Sequence, residues 1–184
     1  EYTGRALIVA TGAKKRTLGI PGEAELAGSG VSYCATCDGG FFKGREVAVV
    51  GGGNTALEDA LYLSNLCRKV TLIHRRDSFR GQAVLSAQIA ARENIEVLYS
   101  TRVLRAEGGG RLEQLILQTP QGERALVVDG LFVAVGTVPA TELFRGLLPL
   151  DESGYLEAGE DTCTGVPGVF AAGDVRRRPI KQIV

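Results

Sequence analysis

One short segment constrains the fold of this 184-residue chain more than any other: Gly51-Gly52-Gly53-Asn54-Thr55-Ala56. It fits G-x-G-x-x-A, a pattern that is weak alone and informative only between a strand and a helix. The apolar stretch Glu46 to Val50 precedes it. Ala56, Leu57, Ala60, Leu61, Leu63 and Cys67 follow at helical spacing, and Val70 to Ile73 is a second apolar strand. Strand, glycine turn, helix, strand is a βαβ unit, so these strands are expected to be parallel. In such a turn Gly51 permits the sharp reversal, Gly53 lets a pyrophosphate approach the backbone, and Ala56 allows close helix–strand packing. Unpaired N–H groups at the helix start suit phosphate. Residues 51–56 are therefore a candidate dinucleotide site. The other glycine run, Gly108-Gly109-Gly110, opens no helix and reads as a loop.

The end of the second strand narrows the choice of dinucleotide. An NAD site places Asp or Glu there to accept the ribose hydroxyl. This chain places His74, Arg75 and Arg76 there, with Arg80 one turn on. Guanidinium groups bind a 2′-phosphate through paired donors, whereas a carboxylate repels it. NADPH is the expected cofactor. His74, the single histidine of the chain, is expected to cap or pack at the strand end.

Of four cysteines, Cys34 and Cys37 form a CxxC pair, Cys67 lies on the apolar helix face, and Cys163 is isolated. At this spacing two cysteines close a small ring that exchanges with other disulfides. Asp38 stands where it could pass a proton to a leaving thiolate. The alternative is half a zinc site, which wants a second close pair that the chain lacks. Formal net charge is zero, which argues against nucleic-acid and membrane-surface binding. With no bilayer-spanning run and no signal peptide, the expected location is the cytoplasm. The absence of methionine, and an opening straight into Ala6 to Ala10, lead us to expect further chain upstream.

Elsewhere, Phe79 to Glu93 reads as a helix stopped by Asn94. Ile95 to Ala106, Leu112 to Gln118 and Arg124 to Val128 read as antiparallel strands, with a turn at Pro120-Gln121-Gly122. Leu131 to Val135 is apolar and ends at Gly136, and Val169 to Ala172 is a last short strand.

Val31-Ser32-Tyr33-Cys34-Ala35-Thr36-Cys37-Asp38-Gly39, then the glycine turn, then His74-Arg75-Arg76-Asp77 resemble low-molecular-weight thioredoxin reductases, in order and spacing. The likeness runs nearly end to end. It implies an α/β flavoprotein reductase fold: a Rossmann-like NADPH-binding domain with an added antiparallel β-meander, inserted into an FAD domain. The implied division is 1–15 and 142–184 as pieces of the FAD domain and 16–141 as the NADPH domain with the redox disulfide. The resemblance also implies Gly136 on the NADPH side, and Thr11, Gly12, Asp174, Val175, Lys181, Gln182 and Ile183 on the FAD side. Electrons would pass from NADPH through FAD to Cys34–Cys37 and on to oxidised thioredoxin, with a homodimer as the full-length assembly. Cys37 would face the flavin, Asp38 would donate the proton, and Cys34 would attack thioredoxin. The glycine loop for the FAD pyrophosphate lies outside this sequence, so the chain alone is expected not to hold FAD and not to turn over. Two other readings are the flavoprotein subunit of alkyl hydroperoxide reductase, which prefers NADH, and a non-catalytic NADPH-binding module.

Overall fold

Val47, Ala48 and Val49 are all fully buried, although a strand sends neighbouring side chains to opposite faces. Both faces of their sheet must therefore be covered, as parallel sheets require. The computed structural model describes residues 3–177. Its elements, in order, are β1 (Leu7–Val9), β2 (Ala13–Lys15), β3 (Val31–Ser32), α1 (Ala35–Asp38), β4 (Glu46–Val50), α2 (Asn54–Ser64), β5 (Lys69–Ile73), α3 (Ala83–Ala90), β6 (Ile95–Leu98), β7 (Arg102–Glu107), β8 (Gln114–Thr119), β9 (Gly122–Val127), β10 (Gly130–Val133), β11 (Thr137–Pro139) and β12 (Val169–Ala171). Single 3-10 turns occur at Gly39–Phe42, Glu142–Phe144 and Gly173–Val175.

The chain divides into two compact units, one of residues 1–15 and 137–184, the other of residues 16–136. The second unit is built on a parallel sheet of order β3-β10-β4-β5-β6. On one face Val47, Val49, Val70, Leu72 and Phe132 pack against Ala56, Leu57, Ala60 and Leu63 of α2 and Ile89 of α3. On the other, Ala48, Ile73, Leu131 and Val133 pack against Leu115 and Leu117 of the antiparallel sheet β7-β8-β9. The first unit holds the parallel pair β1-β12, the antiparallel pair β2-β11, and a small core of Val9, Leu156, Ala171 and Val175.

Two expected elements take another form. Ile95 to Ala106 is not one antiparallel strand. Its first half, β6, lies parallel to β5 with Ile95 opposite Val70, and only β7 joins the antiparallel sheet. The chain turns between them at Ser100, whose φ of 49° is left-handed. The N–H groups of Ser100 and Thr101 donate to the carbonyls of Arg76 and His74. The helix expected over 79–93 shrinks to α3. The N–H groups of Arg80, Gly81 and Gln82 bond to Gly52 and Asn54, so the first turn is not helical. Asn94 does not cap α3; its side-chain amide donates to the carbonyls of Ser64 and Cys67, closing the end of α2.

Candidate functional site

Cys34 and Cys37 are joined in a disulfide, their Cα atoms 5.3 Å apart. Cys34 is the N-cap of α1, and its sulfur accepts the Cys37 N–H at 3.3 Å. Cys37 is exposed and Cys34 half-buried. A sulfur at a helix N-terminus is stabilised as thiolate once its disulfide opens. Beneath it, buried Ser32 organises the loop. Its hydroxyl accepts the Cys34 N–H at 3.1 Å and donates to Asp38 Oδ2 at 2.6 Å. Sequence reasoning missed this serine, because only the fold brings it under Asp38.

It also missed Glu23. This carboxylate is buried and accepts the N–H groups of Leu18 and Gly19 at 2.9 and 2.8 Å and the Tyr33 hydroxyl at 3.0 Å. Burial, then the hydrogen bond and charge of Glu23, push the Tyr33 phenol up to about 12. The residue preceding Cys34 is thereby kept protonated and fixed. Nothing in the local sequence marks Glu23 for this role.

The glycine turn has a separate physical reason at each position. A Cβ at Gly51 would stand 2.5 Å from the Ala134 carbonyl oxygen and 2.5 Å from Ala56 Cβ. One at Gly52 would stand 2.2 Å from the His74 ring. At Gly53 a Cβ would meet nothing within 4 Å, so the turn is open on that side. No side chain caps α2, which leaves the N–H groups of its first turn, including those of Thr55 and Ala56, for a ligand. These features fit a pyrophosphate.

His74 is buried under Gly52, its Nε2 at 3.0 Å from the Ser78 carbonyl and its ring against Phe79. Arg75, Arg76 and Arg80 are exposed, and none forms an ion pair among the described residues. Burial holds the His74 imidazole below its ordinary value; Arg80 and Arg76 push the same way, while backbone groups of Ser78 and Gly51 oppose. Below the ordinary imidazole value of about 6.5, the unfolded chain takes up a proton that the folded chain resists. Stability is therefore expected to fall as pH drops below that value and to be unaffected by this group above it. Thermal midpoints between pH 7.5 and 5.5 check this, and His74→Asn should flatten the slope. With one histidine in the chain, the assignment is direct.

Strand register places the disulfide and the glycine turn together. Phe132 of β10 is aligned with Ser32 on one side and Val49 on the other. Cys34 and Gly51 each follow two residues later, so both leave the same carboxyl edge of the sheet. They are two strand spacings apart, roughly 10 Å. That edge is where open α/β sheets bind ligands.

The sequence profile of the pyridine nucleotide-disulphide oxidoreductases matches residues 1–184. The chain belongs to this family. It is 45% identical to the thioredoxin reductase of Listeria innocua, covering 100% of this chain and 58% of that protein. It is 43% identical to that of Bacillus subtilis, covering 100% and 59%. The solved thioredoxin reductase of Streptococcus pyogenes superposes with a TM-score of 0.87 at 37% identity, over 96% of this chain and 59% of that one. That of Giardia duodenalis gives 0.86 at 38% identity, over 96% and 59%. The chain thus spans somewhat under two thirds of the relatives it matches.

As a pyridine nucleotide-disulphide oxidoreductase, the chain has its disulfide and glycine turn in residues 16–136 and most of the expected flavin-side residues in the other unit. There the Thr11 hydroxyl donates to the Ala140 carbonyl at 2.6 Å, and Gly12 is left-handed at φ 74°. Asp174 lies half-buried in the turn Gly173–Val175, its carboxylate without a hydrogen-bond or ion-pair partner among the described residues. A carboxylate at this turn with no partner among the described residues fits the hydroxyls of a flavin side chain. Val175 is buried and its carbonyl accepts the Leu156 N–H. Gly136 is left-handed and open, and its carbonyl accepts the Arg16 N–H. Lys181, Gln182 and Ile183 lie outside the described residues. Cys67 is buried in the core, where desolvation pushes its thiol up to about 11; Cys163 is exposed and free. Among the described residues no helix is long and apolar enough to cross a membrane.

Proposed function

We propose that this chain carries the NADPH-binding and disulfide-bearing part of a thioredoxin reductase. The observation that carries the reading is the shared sheet edge: a nucleotide turn and a redox disulfide about 10 Å apart on one rigid support. The backbone N–H groups of residues 51–56, with Gly136, cradle the NADPH phosphates and ribose, and Arg75, Arg76 and Arg80 surround the 2′-phosphate. Residues 16–141 form the NADPH domain, and 1–15 and 142–184 belong to the FAD side, where Thr11, Gly12, Asp174, Val175, Lys181, Gln182 and Ile183 hold the flavin. When bound, FAD supplies the two-electron relay between nicotinamide and disulfide.

The chain's own residues then act in sequence. With the disulfide opened, Asp38 gives its proton to the Cys37 side, and the helix start keeps Cys34 as thiolate. Cys34 attacks the disulfide of thioredoxin, forming a mixed disulfide and releasing one thiolate on the partner. Cys37 returns its proton to Asp38, attacks Cys34 Sγ as a thiolate, restores the Cys34–Cys37 bond and releases the second thiolate of thioredoxin, which leaves as the dithiol after taking one proton from Asp38 and one from solvent. A disulfide that cycles in this way belongs in the cytoplasm, and the resemblance supports a homodimer at full length.

The test is NADPH oxidation by the full-length protein with oxidised thioredoxin, run beside NADH. No thioredoxin-dependent turnover would sink the reading, and equal use of NADH would favour the alkyl hydroperoxide reductase flavoprotein. Ser32→Ala should slow formation of the dithiol roughly tenfold or more by releasing Asp38, the worth of one charged hydrogen bond. Rapid-mixing kinetics reads that step, and Ser32→Thr should retain the wild-type rate.

A further inference from the structure

Three consecutive backbone donors tie the arginine-bearing segment to the glycine turn. The N–H groups of Arg80 and Gly81 donate to the Gly52 carbonyl at 2.8 and 3.2 Å. The next, of Gln82, donates to Asn54 Oδ1 at 2.8 Å. The approach is close: a Cβ at Gly81 would stand 2.5 Å from Leu57 Cδ1 and 3.2 Å from Asn54 Oδ1. The Arg80 guanidinium has no ion-pair partner among the described residues, so the backbone that Gly52 and Asn54 together anchor sets where it points.

We infer that Asn54 is a positioning residue for cofactor choice. By holding the Gln82 N–H it aims Arg80 at the 2′-phosphate, the one group that NADPH has and NADH lacks. This rests on the reading that the nucleotide lies on the 51–56 turn. A side chain at a helix start could instead touch the pyrophosphate, which both cofactors carry. The two roles separate by experiment: a lost pyrophosphate contact weakens both cofactors equally, whereas a lost anchor weakens NADPH alone.

The experiment is equilibrium binding of NADPH and of NADH to the full chain, as wild type, Asn54→Ala, Asn54→Asp, Arg80→Gln, and Asn54→Ala with Arg80→Gln. Asn54→Ala should lower the NADPH-to-NADH affinity ratio roughly three- to tenfold, the worth of one hydrogen bond, and leave NADH binding nearly unchanged. Asn54→Asp keeps an acceptor for the Gln82 N–H. Its charge should weaken both cofactors and preserve the ratio. In the Arg80→Gln background Asn54→Ala should not move the ratio further, because the group it aims is gone. Equal weakening of both cofactors, an unchanged ratio, or additive effects in the double variant each overturn the inference. A wild type with no preference for NADPH overturns the nucleotide reading as well; an NADPH-to-NADH ratio that Asn54→Ala leaves unchanged overturns the anchor alone.

Discussion

Cys34→Ser and Cys37→Ser are each expected to lower thioredoxin reduction by roughly 10³-fold or more, since the two sulfurs act as one unit. Neither change should disturb NADPH binding, because the disulfide and the glycine turn leave the sheet on different strands. The two variants should nonetheless differ. Cys37→Ser keeps the sulfur at the start of α1, where the Cys37-position N–H stabilises it, and should trap a mixed disulfide with thioredoxin. Cys34→Ser should trap far less. Non-reducing electrophoresis of each variant with oxidised thioredoxin, alongside a fluorescence titration with NADPH, checks both points. A trapped adduct through Cys37, the more exposed residue of the two, would reverse the assigned roles.

Arg75→Gln with Arg76→Gln should weaken NADPH by roughly a hundredfold and leave NADH nearly unchanged. A charge-assisted bond contributes about 1.5–3 kcal/mol, so each arginine accounts for about tenfold or more. Neither guanidinium forms an ion pair among the described residues, so their loss should cost little stability. Calorimetric titration with each cofactor reads the ratio. Equal weakening of the two would mean that the arginines support the fold rather than recognise the phosphate.

The parts of this structure legible in its sequence are those whose signal is local. β4 and α2 announce themselves through a buried apolar run, a glycine turn and a helical repeat, and Cys34–Cys37 through spacing alone. The failures share one cause, which is that the deciding partner is remote. Residues 79–82 fall in the stretch expected to be helical, yet the N–H groups of Arg80, Gly81 and Gln82 are taken by Gly52 and Asn54 nearly thirty positions earlier. Ile95 to Leu98 alternates like the strands after it, but β5 offers it a parallel edge with Ile73 opposite Leu98. Ser32 and Glu23 look like ordinary polar residues until the fold sets one beneath Asp38 and the other beneath Tyr33.

At the end of β5, adjacent residues have opposite fates. His74 turns inward and fills the space under Gly52, while Arg75 turns outward to solvent. On the proposed reading, support of the turn and selection of the cofactor fall to neighbouring but separate side chains. A redesign for NADH has only the outward-facing positions to change, and it should leave His74 and Gly52 together as a fixed pair.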